Sequence, residues 1–254
     1  MTAPLPTGTE GRDRALLWLA NRLVPFYRRF PHSGTVSITS LDPRGVALPD
    51  RRVFYSRIPK AANSTVMAAL QRLAAGQADP LRAKSRFPRP SRLSAATVAE
   101  LDRDWFCFTV VRDPHARALS AFLDKVGRRT GHSAHFFRWF RPATPREPGF
   151  ADFVAYLEEG GLWHDLHWAP QHGLLHLPFA RYDMIGRVER LETDLPAILA
   201  RAFGAPPAGI ERFDHAPPTG AAARLPAMLT PALRAALARL YAADFAAFGY
   251  DPGA

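Results

Sequence analysis

The chain of 254 residues is 47% hydrophobic and contains 17 Phe and 5 Trp, so it can bury a full core, and disorder throughout the chain is excluded. Its formal net charge of +10 favours anionic partners such as nucleotides, sulfated or phosphorylated substrates, nucleic acids or an anionic membrane surface. The lone Cys107 excludes an internal disulfide and a multi-cysteine metal site, and its apolar surroundings predict a buried thiol.

Lysine is rare in this arginine-rich chain. Of the 33 basic residues, lysine occupies only positions 60, 84 and 125, which leaves 30 arginines. Such a bias often reflects the base composition of a genome, so the total charge is weak support for an anionic partner. Lys60 is informative for the same reason, because a lysine in this chain indicates a site that needs a compact point charge instead of a planar fork.

The N-terminal region, residues 1–45, is predicted to lead into one domain at 46–254. Residues 11–30 have the apolar spacing of an amphipathic helix broken at Pro25, which either docks on the domain or contacts a membrane surface or a partner. The first residues lack the pattern of a signal peptide, and the apolar runs are shorter than the ~18 residues of a membrane span. We therefore expect a cytoplasmic protein, with peripheral contact to a membrane as the alternative.

Downstream, predicted strands alternate with predicted helices. The strands are TVSITSLD near 35–42, RRVFYSRI (51–58), WFCFTVVR (105–112) and RYDMIGRV (181–188). The helices are residues 63–75, 94–104, 113–127, 149–160, a segment ending at Phe203, and one long amphipathic helix over 230–250. This alternation predicts an α/β three-layer sandwich with a central, mostly parallel sheet. Residues 127–149 are predicted to be a mobile or substrate-facing insertion.

The stretch RIPKAANST (57–65) joins a predicted strand to a predicted helix and is the first candidate site. Parallel sheets bind ligands outside the carboxyl ends of their strands, and a helix that begins near Asn63 offers N–H groups and partial positive charge to an anion. Ser64 and Thr65 add hydroxyl donors, and Lys60 can reach over a phosphate or sulfate. The stretch lacks the glycines of a P-loop, so an ordinary capped turn is the alternative.

A second candidate site lies in FTVVRDPHARALSAF (108–122). Arg112 ends a predicted strand, Asp113 and Pro114 have the residue types of a helix N-cap and first position, and Ser120 follows about two helical turns later. The arginine fork suits a phosphate, and a surface arginine beside a helix cap is the alternative.

Together these stretches resemble the PAPS-dependent sulfotransferases, most closely the branch that includes the carbohydrate sulfotransferases. Further matches follow in order: HWAPQ (167–171), YDMIGRVERLETDL (182–195) and LYAADFAAFGYDP (240–252). The resemblance covers roughly residue 50 to the C-terminus, and the motifs in this order are strongly specific. It implies a P-loop NTPase-like sulfotransferase fold and transfer of the sulfuryl group of 3′-phosphoadenosine 5′-phosphosulfate (PAPS) to a hydroxyl or amine.

The resemblance also implies roles for individual residues. Lys60 would contact the bridging oxygen and the sulfate, and would neutralise the leaving phosphate. Arg112 and Ser120 would bind the 3′-phosphate, which distinguishes PAPS from ATP, and Arg117 is in register with the family. The 5′-phosphosulfate would be cradled by Ala61, Ala62, Asn63, Ser64 and Thr65. The Ala-Ala-Asn portion departs from the residues usual in the family, which leaves its contacts open. Animal members usually carry a membrane anchor that this chain does not show, so a bacterial-style enzyme is expected.

Sulfuryl transfer depends on positioning and charge stabilisation, so no metal is expected to be required if Lys60 and the helix terminus handle the charge. A general base would assist the acceptor, and His167 in HWAPQ is the first candidate. The alternative is a packed, hydrogen-bonded histidine beside Trp168.

Other polar residues are weaker candidates. We expect His115 to be exposed or adjacent to the nucleotide. Glu189 is expected to be the structural partner of a nearby arginine, with a role as base as the alternative. His172 and His176 have the spacing of metal ligands on a helix, but the sequence shows no third ligand.

The acceptor is expected to be a carbohydrate, a glycolipid or another small hydroxylated molecule. The basic segment 81–92 could receive an acidic polysaccharide or a lipid head group, and 128–142 is either a sugar-stacking lid or a helical excursion packed on the core. Two other classes remain open: a nucleotide or small-molecule kinase, which would need Mg²⁺ ligands, and a basic nucleic-acid-binding protein, which would bind with strong salt dependence. A catalytically inactive member of the same fold is a further alternative.

Overall fold

A computed structural model describes residues 10–75, 87–142, 145–204 and 219–253. Its strands are β1 (Gly45–Leu48), β2 (Val53–Ser56), β3 (Phe106–Val111) and β4 (Met184–Arg187). Its α-helices are α1 (Glu10–Leu23), α2 (Pro25–Arg29), α3 (Ile38–Leu41), α4 (Asn63–Ala75), α5 (Ala95–Asp104), α6 (Pro114–Ala121), α7 (Ala134–Trp139), α8 (Phe150–Glu158), α9 (Leu191–Phe203), α10 (Ala221–Met228), α11 (Pro231–Leu240) and α12 (Ala242–Phe248). Residues 81–86, half of the predicted basic segment 81–92, lie outside the described residues.

The strands of the described residues form one sheet in the order β1-β2-β3-β4. β1 is antiparallel to β2, whereas β2, β3 and β4 are mutually parallel, with Ser56 beside Thr109 and Val111 beside Arg187. The carboxyl ends of the three parallel strands therefore meet at one edge of the sheet. Helices α4 and α6 begin at that edge, shortly after β2 and β3. The prediction of a mostly parallel sheet is confirmed.

Apolar side chains cover both faces of the sheet. Val53 and Tyr55 of β2 belong to a core shared with α4 and α9. Phe54, between them, is fully buried on the opposite face against Phe26 of α2 and near Leu101 of α5. Successive strand residues point to opposite faces, so a strand with every residue buried requires helices on both sides. The predicted three-layer α/β sandwich is confirmed.

The N-terminal helices pack on the domain, and the break between them lies at Pro25, as predicted. Leu17 of α1 packs against the core on the α2 side of the sheet, and α2 begins at Pro25. Trp18, Leu19 and Leu23 are exposed on α1. Contact of this apolar surface with a membrane stays a prediction, which co-sedimentation with phosphatidylglycerol vesicles would test. Among the residues described, no helix is both long and apolar enough to cross a bilayer.

The predicted strand near 35–42 is wrong. This segment contains the short helix α3, and the edge strand β1 follows it at Gly45–Leu48. Ile38 and Leu41 are three residues apart and both buried, which is a helical spacing. A short apolar segment does not distinguish helix from strand, and here the tertiary contacts decide.

The predicted long C-terminal helix is instead two helices, α11 and α12, that meet at Tyr241. The backbone of Tyr241 leaves the helical conformation (φ −108°, ψ 22°). Its buried hydroxyl donates a hydrogen bond to the carbonyl of Trp168 at 2.6 Å. The break therefore connects the C-terminal helices to the HWAPQ segment.

Candidate active site

The loop between β2 and α4 adopts a backbone conformation that suits an anion. Lys60 and Ala62 have positive φ angles of 68° and 52°, whereas Ala61 between them does not. The sign of φ therefore alternates into Asn63, the first residue of α4. Successive N–H groups in such an alternation form a concave nest, and the first N–H groups of a helix have no intrahelical acceptor. The loop thus reaches a glycine-like conformation without glycine, at a cost of about 1–3 kcal/mol for each strained residue.

Two buried arginines hold this loop. Arg57 donates from Nε to Oδ1 of Asn63 at 3.0 Å and from Nη1 to the carbonyl of Pro43 at 3.3 Å. Burial lowers the pKa of Arg57 to about 10, so it stays charged at neutral pH. Arg117 of α6 donates to the carbonyls of Pro59, Ala169 and Leu166 at 3.0, 2.8 and 2.9 Å. Arg117, which the sequence placed in register with the family, therefore joins the loop to the HWAPQ region.

Lys60 contacts Asp124, which follows α6 in a π-helical turn over Phe122–Val126. Its Nζ lies 3.0 Å from Oδ2 of Asp124, which also lies 3.0 Å from Nζ of Lys125. Burial raises the pKa of Asp124, but the bonds from Lys60 and Lys125 outweigh it and lower the pKa to about 2. Burial also lowers the pKa of Lys60, which the contact with Asp124 opposes. The carboxylate thus holds the lysine ammonium beside the loop.

Arg112 lies immediately after β3, at the same edge of the sheet as Lys60. Its Nη1 donates to the carbonyl of Lys60 at 3.4 Å. Its backbone is held by the side chain of Gln171, whose Oε1 accepts from the Arg112 N–H at 3.0 Å and whose Nε2 donates to the Arg112 carbonyl at 2.8 Å. The structure therefore brings together Lys60, Arg112 and the HWAPQ segment.

Ser120 lies further along α6 and is 2% exposed. Its hydroxyl is 3.3 Å from the hydroxyl of Thr219, which precedes α10. Ser120 thus contacts Thr219 at the start of the segment that leads into α10. Its role at a 3′-phosphate stays a prediction.

His167 lies beside Asp165, and the charge of Lys125 acts on its ring. Nδ1 of His167 is 2.5 Å from Oδ1 of Asp165, and the His167 backbone N–H donates to the same oxygen at 2.8 Å. Nδ1 of His132 is 2.8 Å from the other oxygen, Oδ2. Burial lowers the pKa of His167 to about 4, which Asp165 opposes and the charge of Lys125 assists. The ring is therefore neutral at pH 7 and able to accept a proton.

A polar cleft of about 310 Å³ opens beside this histidine. Its lining combines hydroxyls, histidines, an arginine and an aromatic ring, including Thr35, Ser37, Ser40, Arg44, Trp163 and His167. Such walls offer donors, acceptors and a stacking surface to a hydroxylated molecule.

One group of side chains in the described part of the chain has the composition of a metal site. The ligand atoms of His132, Asp165 and His167 lie within 4.8 Å of one another. Imidazole and carboxylate are ligands for Zn²⁺, although tetrahedral coordination would need the three atoms about 3.3 Å apart. The observed distances of 2.5 and 2.8 Å to the carboxylate are those of hydrogen bonds.

The model of the sulfotransferase family matches residues 46–251, which include the loop, Arg112 and His167 but not the wall of the cleft between Thr35 and Arg44. The chain belongs to the sulfotransferase family. No solved structure is significantly similar to it.

The curated relatives are carbohydrate sulfotransferases from vertebrates. Human carbohydrate sulfotransferase 10 is 33% identical over 141 residues, which are 47% of this chain and 38% of the relative. Zebrafish carbohydrate sulfotransferase 14 is 29% identical over 174 residues, 62% of this chain and 47% of the relative. Chicken carbohydrate sulfotransferase 10 is 30% identical over 198 residues, 66% of this chain and 52% of the relative. The chain thus spans about two fifths to half the length of these relatives, and they give no support to the expectation of a bacterial protein.

The weaker candidates of this sulfotransferase-family chain have structural contacts. His115 is 1% exposed and packs against Phe245 at 4.9 Å between ring centres, so the expectation of an exposed side chain is wrong. Glu189 accepts from the N–H of Asp113 at 2.9 Å and from the hydroxyl of Tyr250 at 2.8 Å, and these partners replace the arginine that was expected. Its structural interpretation agrees with these contacts.

The pair His172 and His176 does not converge on one point. Nδ1 of His172 is 2.8 Å from Asp244, whereas the ring of His176 contacts Ser56 at 3.1 Å and the carbonyl of Leu41 at 3.0 Å. The two residues lie in and after a 3₁₀ turn over Gln171–Leu174, where the spacing of an α-helix does not apply.

Buried neutral histidines predict a pH dependence of stability. Burial lowers the pKa of His167 to about 4 and that of His176 to about 3, against about 6.5 in the unfolded chain. The unfolded state therefore binds more protons below pH 6.5, and the free energy of unfolding falls as pH decreases from 6.5 towards 4, by up to about 1.4 kcal/mol per pH unit for each histidine.

Urea denaturation at pH 7, 6 and 5 measures this effect. We expect His176→Gln to reduce the slope with pH. The same change at exposed His135, whose pKa is also lowered by burial and by the charge of Arg138, should reduce it less. Equal stability at pH 7 and pH 5 would contradict the assignment of neutral buried rings.

The sequence interpretation missed Asp124, Asp165, His132 and Arg57 as parts of the site. Asp165 had a local signal, since it lies two residues before His167 in HDLHWAP. Asp124 and His132 had none, because their contacts with Lys60 and Asp165 join segments 64 and 33 residues apart.

Proposed function

We propose that the protein transfers the sulfuryl group of PAPS to a hydroxyl or amine of a carbohydrate or glycolipid. One observation carries this proposal: the anion-binding loop after β2 and Arg112 after β3 lie side by side, 3.4 Å from Arg112 Nη1 to the Lys60 carbonyl. A single ligand with two anionic groups can therefore contact both. The family and the names of the relatives support the same reaction class.

In the proposed complex, the donor is held at both ends. The N–H groups from Ala62 to Thr65 and the hydroxyl of Ser64 surround the 5′-phosphosulfate, because a nest and a helix N-terminus favour negative charge. The N–H of Ala61 donates to the carbonyl of Ile58 at 3.3 Å, so Ala61 borders the anion without donating to it. Arg112 and Ser120 contact the 3′-phosphate. Thr65 is buried and contributes mainly its backbone N–H.

The chemistry requires charge stabilisation at the leaving group and removal of one proton. As the bond from sulfur to the bridging oxygen breaks, negative charge grows on that oxygen, and Lys60 neutralises it. His167 accepts the proton of the acceptor, since its ring is neutral at pH 7. Burial makes the ring a weaker base, and the carboxylate of Asp165 opposes this by stabilising the charge that forms when the proton arrives. We expect no metal to be required, because Lys60 and the helix N-terminus supply positive charge.

The acceptor is proposed to enter the cleft beside His167. Hydroxyls of Thr35, Ser37 and Ser40 and the ring of Trp163 line this space. Hydrogen bonds to hydroxyls and contact with an aromatic face are the interactions that bind sugars. A screen with ³⁵S-labelled PAPS over polysaccharides, glycolipids and phenols would identify the acceptor.

Preference for a ligand with a 3′-phosphate tests the proposed donor site. In calorimetry we expect the protein to bind adenosine 3′,5′-bisphosphate about tenfold to a hundredfold more tightly than AMP. The reason is that charge-assisted hydrogen bonds contribute about 1.5–3 kcal/mol. Arg112→Ala should remove most of this preference. Arg190→Ala, at a surface arginine with 63% of its side chain exposed, is the matched control and should keep it.

The alternatives make different predictions in the same experiment. Equal affinity for AMP and the bisphosphate would contradict the proposal. A kinase would prefer ATP with Mg²⁺, and a nucleic-acid-binding protein would bind DNA or RNA with affinity that falls steeply with salt.

A further inference from the structure

Asp165 is the centre of a hydrogen-bond cluster beside the cleft. Its Oδ1 accepts from the backbone N–H of His167 at 2.8 Å and lies 2.5 Å from Nδ1 of the same residue. Its Oδ2 lies 2.8 Å from Nδ1 of His132. The two imidazole rings are 4.3 Å apart between centres. Both carboxylate oxygens are therefore occupied, and the plane of the carboxylate is held.

The charge state of the cluster determines which ring nitrogens carry hydrogen. Although burial raises the pKa of Asp165, the contacts with His167 outweigh it and lower the pKa to about 2, so the carboxylate is ionised at pH 7. An ionised carboxylate only accepts hydrogen bonds, and a neutral imidazole has one N–H. Nδ1 of His167 must therefore carry the hydrogen, which leaves the lone pair on Nε2.

Burial and surroundings distinguish the two histidines. The side chain of His167 is 12% exposed and that of Asp165 is 16% exposed, whereas His132 is 46% exposed at the rim of the cleft. Two positive charges act on this cluster. One belongs to Lys125, which shares Asp124 with Lys60, and the other to Arg44 on the wall of the cleft. His167 is thus the enclosed ring of the pair, and His132 is the outer contact of the carboxylate.

We propose that Asp165 is a positioning residue for proton transfer, which fixes His167 in the tautomer with hydrogen on Nδ1 and leaves Nε2 as the proton acceptor, while His132 holds the second carboxylate oxygen. This inference rests on the proposed function. In the step, the acceptor oxygen or nitrogen forms a bond to sulfur, and its proton moves to Nε2 of His167. The bond from sulfur to the bridging oxygen breaks, and its electron pair leaves with adenosine 3′,5′-bisphosphate beside Lys60.

The experiment observes the tautomer directly. In ¹⁵N NMR of the full chain with labelled histidine, the His167 signals are assigned by their loss in His167→Gln. We expect hydrogen on Nδ1 in the wild type. In Asp165→Asn the side-chain amide can donate to Nδ1, so we expect the hydrogen to move to Nε2 and kcat to fall about 10²–10⁴-fold with the acceptor that supports wild-type turnover.

Two comparisons separate positioning from folding. Asp165→Glu keeps a carboxylate and should recover part of kcat and the Nδ1–H tautomer, whereas Asp102→Asn, which changes a carboxylate paired with Arg29, should change neither. Hydrogen on Nε2 in the wild type, or an unchanged tautomer and kcat in Asp165→Asn, would overturn the inference. Micromolar binding of Zn²⁺ that Asp165→Asn abolishes would overturn it in favour of a metal site.

Failure of the inference and failure of the proposed function are distinguishable. Calorimetry with adenosine 3′,5′-bisphosphate reports the donor site alone, and its affinity should be the same for the wild type and Asp165→Asn. Absence of this binding in the wild type contradicts the proposed function. Normal binding together with an unchanged tautomer in Asp165→Asn contradicts only the role of Asp165.

Discussion

Replacing Lys60 by alanine is expected to lower kcat with PAPS by about 10²–10³-fold, the effect of removing one preorganised charge donor from a transition state. The reason is its position: Lys60 follows β2 inside the alternating-φ loop, and its Nζ is held by Asp124 at 3.0 Å. Removal of the side chain leaves the leaving phosphate without its cation. The protein should remain folded, because the buried anchors of the loop are Arg57 and Arg117 and not Lys60.

Lys125→Ala is the matched control for this prediction. Lys125 has the same charge, the same distance of 3.0 Å to Oδ2 of Asp124, and a similar side-chain exposure of 15% against 17% for Lys60. It lies after α6 and outside the loop, so we expect a much smaller loss of kcat. Circular dichroism and thermal unfolding check the fold of both variants. Comparable kcat values for the two variants would contradict the leaving-group role of Lys60.

Arg117→Met is expected to lower the free energy of unfolding by about 3 kcal/mol or more, because it leaves three buried carbonyl groups without their donor. The guanidinium is 1% exposed and donates to Pro59, Leu166 and Ala169 at 2.8–3.0 Å. Methionine keeps an unbranched apolar stem and lacks the guanidinium, so the loss reports mainly the hydrogen bonds of that group. In a chain of this length, the melting temperature should fall by about 6–12 °C.

Urea denaturation measures the free energy of unfolding of Arg117→Met, and Arg103→Met is the control for replacing an exposed arginine. Arg103 has 68% of its side chain exposed and pairs with Asp104 at 3.8 Å, so its replacement should change stability by less than about 0.5 kcal/mol. If Arg117→Met were as stable as this control, Arg117 would not be the connection between the loop and the HWAPQ segment. The role of Arg117 would then have to be sought in ligand binding.

The predicted starts of α4, α5 and α6 agree with the structure because their signals are local. Ser94 accepts from the N–H of Thr97 at 3.1 Å, and Asp113 accepts from the N–H of Ala116 at 2.8 Å. A cap depends on residues within one turn, so composition and spacing are sufficient to predict it. The strand in 35–42 and the unbroken helix over 230–250 were wrong because packing decided between local conformations of similar energy.

The sequence by itself determined the α/β class, the strands after which an anion can bind, and Lys60, Arg112 and His167 as the candidates. Those signals are carried by neighbouring residues. Only the tertiary structure decided that Lys60 pairs with Asp124, that Arg117 joins the loop after β2 to the HWAPQ segment, and that Asp165 orients His167. These contacts connect segments up to 64 residues apart, or depend on which ring nitrogen faces a carboxylate. Their geometry is set by the packing of helices on the sheet, and no spacing along the chain contains it.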